Sequence, residues 1–363
     1  RSVGVTGVQT CALPIWGSMN QSLQIVTNEM THVFFLSVAS FILAMLLTPV
    51  YTFFAYRYRF WKQQRQESTD GKKLEVFTKL HAAKFRRNIP TMAGVIGVIS
   101  VTVVTLLMNL DRAQTWLPLA ALVGGGVVGL IDDVINIKGL GGGVAGLRGS
   151  LKFMLITLIG LVLGWFFFAK LGVDTFHIPF VGEMAIGWLI IPLFAFAVVA
   201  TGNAVNISDG LDGLAGGLLG ISFATFGVIA LMQSNFMLAG FCFTVVGVLL
   251  SYVWFNIYPA RFFMGDVGSF AYGVSLGVVA MLTDTFLLLP VIGLLFVVEA
   301  GSSALQIASK RLFHRKIFLS APIHHHLEAK GWPETKVTMR FWVIGFVMAF
   351  IGFLLAITGG HIA

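Results

Sequence analysis

Apolar runs close to 20 residues recur along the whole 363-residue chain, and no other feature limits its fold as strongly. About 20 helical residues cross a hydrocarbon core roughly 30 Å thick. With 57% of residues hydrophobic and only 11% charged, the chain lies well outside the composition of soluble domains. The expected fold is all-α: a polytopic integral membrane protein of about ten transmembrane helices. The predicted spans run from about 33 to 56, 91 to 109, 115 to 131, 151 to 169, 184 to 201, 214 to 232, 237 to 257, 268 to 284, 286 to 308 and 338 to 359. Only the Thr283-Asp284-Thr285 break, near Pro290, separates the eighth from the ninth.

Lys and Arg retain loops on the cytoplasmic side, and here their distribution is lopsided. The segment Arg57 to Arg87 holds ten and the loop Lys310 to Arg340 seven; Lys138, Arg148 and Lys152 share another loop, with Arg261 in a fourth. The opposite side has Arg1, Arg112 and Lys170. Both termini are therefore expected outside. The net charge of +8 expresses this bias and favours anionic lipid or phosphate-bearing ligands; loops this short lend little support to nucleic acid binding. Cys11 and Cys242 form no ligand or disulfide pattern. Residues 1–18 lack the pattern of a secretory signal and are expected to be an extraneous leader before Met19, with 19–363 one transmembrane domain.

Four polar clusters interrupt the apolar runs, all on the predicted cytoplasmic side. Asp132 and Asp133 end the run Leu117–Ile131. One acid there would pass as an interfacial carboxylate; with two, about 100° apart on a helix, one can bind a metal while the other takes a proton or orients a lysine. Asp209 and Asp212 lie three apart with Gly210 and Gly213 beside them, and Asn203 and Asn206 precede them at the same spacing. Capping of the next span would explain one of these acids; the whole group suggests a polar binding surface. Asp266 stands between Gly265 and Gly268 at the head of a span, a weak signal alone that gains weight from its side of the membrane. Lastly, Pro322-Ile323-His324-His325-His326-Leu327-Glu328 sets three consecutive histidines in a loop. That spacing suits phosphate binding or proton transfer better than a tetrahedral zinc site.

Other features carry less. Gly141 to Gly146 matches a dinucleotide-binding pattern by letter but follows a span and not a strand, and no phosphate-loop motif occurs. Glu299 lies deep in an apolar span, where an unpaired charge is costly, two turns from Gln306 on nearly the same face. The two either line a polar groove, or Glu299 is a neutral, hydrogen-bonded packing residue. Acid clusters able to hold Mg²⁺, with basic residues beside them at a membrane surface, suit transfer between a soluble diphosphate compound and a lipid phosphate.

The stretch Asn203 to Leu214, the segment Phe263-Met264-Gly265-Asp266-Val267-Gly268-Ser269, and the histidine loop with Lys330-Gly331-Trp332-Pro333-Glu334 after it closely resemble the phospho-N-acetylmuramoyl-pentapeptide transferase family, from about residue 30 to the end. The histidine loop discriminates best, since sister enzymes of the superfamily carry another histidine arrangement there. The resemblance implies transfer of phospho-N-acetylmuramoyl-pentapeptide from its UDP carrier to undecaprenyl phosphate, giving lipid I and UMP for peptidoglycan synthesis, with Mg²⁺, on the cytoplasmic face of a bacterial inner membrane. It implies Asp132 and Asp133 as the paired catalytic acids and Asp266 as a catalytic and metal-site acid. Asp209 would be a second metal residue. Lys152, Asn206, Asp209, Asp212, Gln306, His324, His325 and His326 would contact substrate. Direct attack by the lipid phosphate, with Asp132 accepting its proton, is the preferred chemistry. UDP-N-acetylmuramoyl-pentapeptide, undecaprenyl phosphate and the bilayer are the implied partners; a homodimer is left open. The chain departs from the family at Asn88-Ile89-Pro90-Thr91-Met92-Ala93-Gly94, preceded by Arg86 and Arg87 where a lysine is usual, with Lys84 or Arg86 as substitutes, and in the glycine-rich stretch 139–146 after Lys138. A sister transferase of teichoic acid or surface polysaccharide synthesis and an ion-coupled transporter are the rival hypotheses.

Overall fold

A computed structural model describes residues 13–61, 88–140 and 146–362. The Lys- and Arg-rich stretch 62–87, with Lys84 and Arg86, the segment 141–145 of the glycine-rich stretch, and the first twelve residues of the expected leader lie outside it. Eleven main helices are used below: α1 Leu13–Arg57, α2 Gly94–Met108, α3 Trp116–Lys138, α4 Gly149–Leu171, α5 Ile190–Ser208, α6 Leu214–Met232, α7 Phe236–Asn256, α8 Gly265–Leu282, α9 Leu294–Phe313, α10 Ile323–Ala329 and α11 Glu334–Thr358. A two-stranded antiparallel hairpin, β1 Thr175–Ile178 and β2 Gly182–Ala185, stands between α4 and α5.

The all-α membrane architecture holds, but the ten expected spans do not all appear as continuous crossings. Among the described residues eight helices are long and apolar enough to cross a membrane. The expected 286-to-308 span is broken: Phe286–Ile292 and Leu294–Phe313 meet at 82°, where Pro290 lacks an amide donor and Gly293 separates the two pieces. The expected 91-to-109 span is the fifteen-residue α2, shorter than the usual ~20-residue crossing.

α8 organises the bundle, with 94% of its span buried. Phe270, Val274, Val278 and Met281 join one core with residues of α3, α4 and α5, while Ala271, Tyr272, Leu276 and Val279 join a second core built on α1, α6, α7 and α11. Between lipid-like surfaces burial supplies little drive, so close contact of small residues matters. A Cβ on Gly129 of α3 would collide with the Asp266 carbonyl, and one on Gly273 would lie 2.9 Å from the Cα of Gly202. The outer faces of α1, α4 and α11 remain apolar and exposed, as at Leu46, Phe53, Met154, Val343 and Phe346, which suits contact with lipid chains.

Candidate active site

Asp132 and Asp133 occupy the last two turns of α3, which stops at Gly139 in a left-handed conformation (φ 65°). Asp266 opens α8, and Gly129 lets those two helices touch backbone to backbone at that level. The three carboxylates are buried, with one ligand atom from each within 4.8 Å of the others. Lys152, in the first turn of α4, inserts its ammonium between two of them: Nζ lies 3.1 Å from Asp132 Oδ2 and 2.9 Å from Asp266 Oδ2. The Leu147 amide donates to Asp132 Oδ1, and the Val267 amide to Asp133 Oδ2 at 3.0 Å. Gly265 adopts φ 75°, and a Cβ there would sit 2.5 Å from Asp133 Oδ2. Three carboxylates around one ammonium form a net-acidic, all-oxygen donor set, which fits a hard dication such as Mg²⁺.

The segment that departs from the family pattern lies beside this group. Phe263 donates its amide to Pro90 O (2.8 Å), and Ala93 and Gly94 donate theirs to Phe263 O and Met264 O (3.0 and 2.9 Å). Residues 90–94 therefore brace the turn that launches Asp266.

From Asp266 the polar surface continues through hydrogen bonds. Asn206 Nδ2 donates to Ser269 Oγ at 2.9 Å, fixing the end of α5 against the first turn of α8. Asp209 caps α5 and is partly exposed, but it is not one of the three clustered carboxylates. Asp212 is 2% exposed. Its Oδ2 accepts the Ala260 amide at 3.0 Å, its own amide donates to Glu334 Oε1 at 2.6 Å, and its carbonyl accepts the Thr338 hydroxyl. The structure thus gives Asp212 a bracing position between two loops and α11.

The histidine loop meets the same surface. A Cβ at Gly210 would collide with His324 Nε2, so the missing side chain is what lets His324 reach the Asn203–Gly213 segment. Nδ1 of His324 hydrogen-bonds Glu299 Oε2 at 2.8 Å, with both side chains fully buried. His325 Nδ1 pairs with Glu328 Oε2 at 2.7 Å, and His326 Nδ1 accepts the Leu319 amide at 3.1 Å. Burial, then the adjacent His324, hold His325 below the ordinary imidazole range, against the pull of Glu328. His326 is lowered too, by desolvation and Lys330. Gln306 spends its side chain on the loop: Oε1 accepts the Ile317 and Phe318 amides and Nε2 donates to the Phe318 carbonyl, all at 3.0 Å.

Sequence reasoning singled out Glu299 without finding its partner, and passed over Ser269 and Asn136. Asn136 is 3% exposed, one turn beyond Asp132 and Asp133 on α3. Its i+3/i+4 spacing from the acids was the available signal.

Comparison with known proteins agrees with this arrangement. A profile described as glycosyl transferase family 4 matches residues 115–284, from α3 through α8. A phospho-N-acetylmuramoyl-pentapeptide-transferase of Chloroflexus aggregans is 37% identical over 350 residues, covering 93% of this chain and 92% of that protein. Proteins of the same name from Geobacillus thermodenitrificans (36% over 322 residues; 86% of this chain, 94% of that protein) and Levilactobacillus brevis (41% over 271 residues; 72% and 83%) are similar as well. Identity at that level over most of the chain has one consequence: the chain belongs to the phospho-N-acetylmuramoyl-pentapeptide-transferase family.

Proposed function

We propose that the chain transfers phospho-N-acetylmuramoyl-pentapeptide from UDP to undecaprenyl phosphate, releasing UMP and forming lipid I at the cytoplasmic face of a bacterial inner membrane. The observation that carries this is the convergence of Asp132, Asp133, Asp266 and Lys152 from three helices into one buried group. The lysine-rich face supports the cytoplasmic assignment.

Such a transfer needs positioning and charge neutralisation more than covalent help. An oxygen of the lipid phosphate bonds to the sugar-bearing phosphorus, and the bond from that phosphorus to the bridging oxygen of the diphosphate breaks, that oxygen leaving on UMP. Asp132, oriented by the Leu147 amide and Lys152, accepts the proton of the lipid phosphate. Mg²⁺ held by the three carboxylates would neutralise charge on the diphosphate. Lys152 bridges Asp132 and Asp266 with one ammonium. Asn206 and Asp209 extend the polar surface on which the nucleotide lies, with His325 and His326 contacting phosphate. Asp212, Gln306 and His324 hold those surfaces in register through the hydrogen bonds described above.

Asp132→Asn, Asp133→Asn and Asp266→Asn, which keep shape and remove charge, should each lower UMP release by at least ~100-fold while leaving a folded protein in the membrane. Near-normal turnover of any one variant at saturating Mg²⁺ excludes that residue from the chemistry. Release of UMP by detergent-solubilised protein, with no ion gradient present, separates transfer from ion-coupled transport. Competition between UDP-N-acetylmuramoyl-pentapeptide and other UDP-N-acetylhexosamines separates it from the sister transferases.

A further inference from the structure

A second ligand cluster lies at the far end of α8. Asp266 and Asp284 are eighteen positions apart in sequence, which along a helix is about 27 Å. In the hairpin, His177 of β1 and Glu183 of β2 are directly paired, so their side chains share a face. Asp284, in the left-handed turn after α8 (φ 52°), meets them there, its Oδ1 accepting the His177 amide at 3.0 Å. One ligand atom from each of the three lies within 4.8 Å of the others.

The hydrogen bonds prepare these groups for a cation. His177 Nε2 is 2.8 Å from the Gly359 carbonyl. Donation to that oxygen puts the ring proton on Nε2 and leaves the Nδ1 lone pair available, the second-sphere arrangement usual for metal-bound histidine. Asp284 keeps Oδ2, and neither Glu183 nor Asp284 forms an ion pair with a described residue. An independent observation comes from the chain's end: His361 is only 9% exposed, neither of its ring nitrogens has a hydrogen-bond partner, and its ring centroid is 4.2 Å from that of His177. A buried imidazole with both nitrogens unsatisfied is costly to keep. A cation at this cluster would relieve that cost.

We propose that His177, Glu183 and Asp284 form a zinc(II) site on the face opposite the transfer site, with the buried His361 ring beside it. Imidazole beside carboxylate oxygens is a zinc-type donor set, whereas Mg²⁺ and Ca²⁺ prefer oxygen alone. The ion would fasten the hairpin to the end of α8.

The test uses full-length protein in detergent, stripped with chelator, reloaded with Zn²⁺, desalted and assayed for zinc by elemental analysis. Glu183→Gln removes an exposed charge and keeps the fold. This variant and Asp284→Asn should each retain about one zinc per chain less than the unsubstituted protein, with Mg²⁺-supported UMP release before reloading unchanged. Co²⁺ should give visible absorption bands in the unsubstituted protein that both variants lose. Equal zinc content in the unsubstituted protein and Glu183→Gln overturns the proposal. So does zinc that is lost in His325→Ala but kept in Glu183→Gln, which assigns the ion to the histidine loop.

Discussion

Lys152 does for the acidic site what no backbone contact does: one ammonium, 2.9 and 3.1 Å from carboxylates on two different helices, lets like charges stay close. Replacing it by Gln keeps length and removes that charge. UMP release should fall by about 100-fold or more, but the Mg²⁺ concentration for half-maximal rate should not rise, because the carboxylates lose a competing cation. A Mg²⁺ titration of Lys152→Gln checks this; unchanged turnover with a raised Mg²⁺ requirement would mean that Lys152 serves the metal and not the transfer. At this scale the acids were legible from their positions at helix ends, whereas their partners were not. Glu299 and Gln306 sit on one helical face in sequence, yet Glu299 turns to His324 and Gln306 to the backbone of Ile317 and Phe318. Those partners come from a loop whose path the sequence does not encode locally. Asp212, expected on the substrate face, also holds Ala260 and α11 through contacts that no spacing pattern displays.

Elements were legible where apolar length alone decides them. All expected spans but the broken 286-to-308 one overlap a single helix, and α6 coincides with its expected bounds, 214 to 232. The failures have local causes. Four-residue strands are too short to display a period of two, so the hairpin went unseen, although Gly182 at φ 108° follows its turn directly. The break in the 286-to-313 segment was marked by Pro290 and Gly293, but hydropathy integrates across both. α10, the short helix carrying the three histidines, makes its own prediction. His325 has its imidazole held below the usual range by burial and by His324, so the folded state binds protons less readily than the unfolded chain. This contribution to stability is complete above the unfolded imidazole range, about pH 6.5, and is lost as pH falls through the lower folded value. Thermal unfolding in detergent should therefore show Tm falling from pH 7 to pH 5, with a smaller fall in His325→Gln. Identical pH dependence in the two proteins would show that His325 is not buried as described.

At the scale of the molecule, the polarity of α8 separates two chemistries. Its first turn holds Asp266 among carboxylates and a lysine, and the turn beyond its last holds Asp284 among histidines. The end of the chain belongs to the second pole, since the Phe180 amide donates to Gly359 O and His177 pairs with the same carbonyl. Charge follows the same division: among the described loop residues Lys138, Arg148, Lys152 and Arg261 lie on the acidic-site side, and Arg112 and Lys170 toward the hairpin side. Charge bias states which pole a cell keeps inside, and packing states only that the poles are opposite, so the compartment is a matter for labelling. With Cys11 and Cys242 replaced by Ser, single cysteines at two exposed positions, Asp174 beside the hairpin and Lys316 in the loop before the histidines, report the two poles. In intact cells an impermeant thiol reagent should label Asp174→Cys and spare Lys316→Cys until the membrane is permeabilised. Labelling of Lys316→Cys alone would turn the molecule over. The acidic site would then face a compartment where nucleotide-activated sugars are not made, and the proposed transfer would lose its donor.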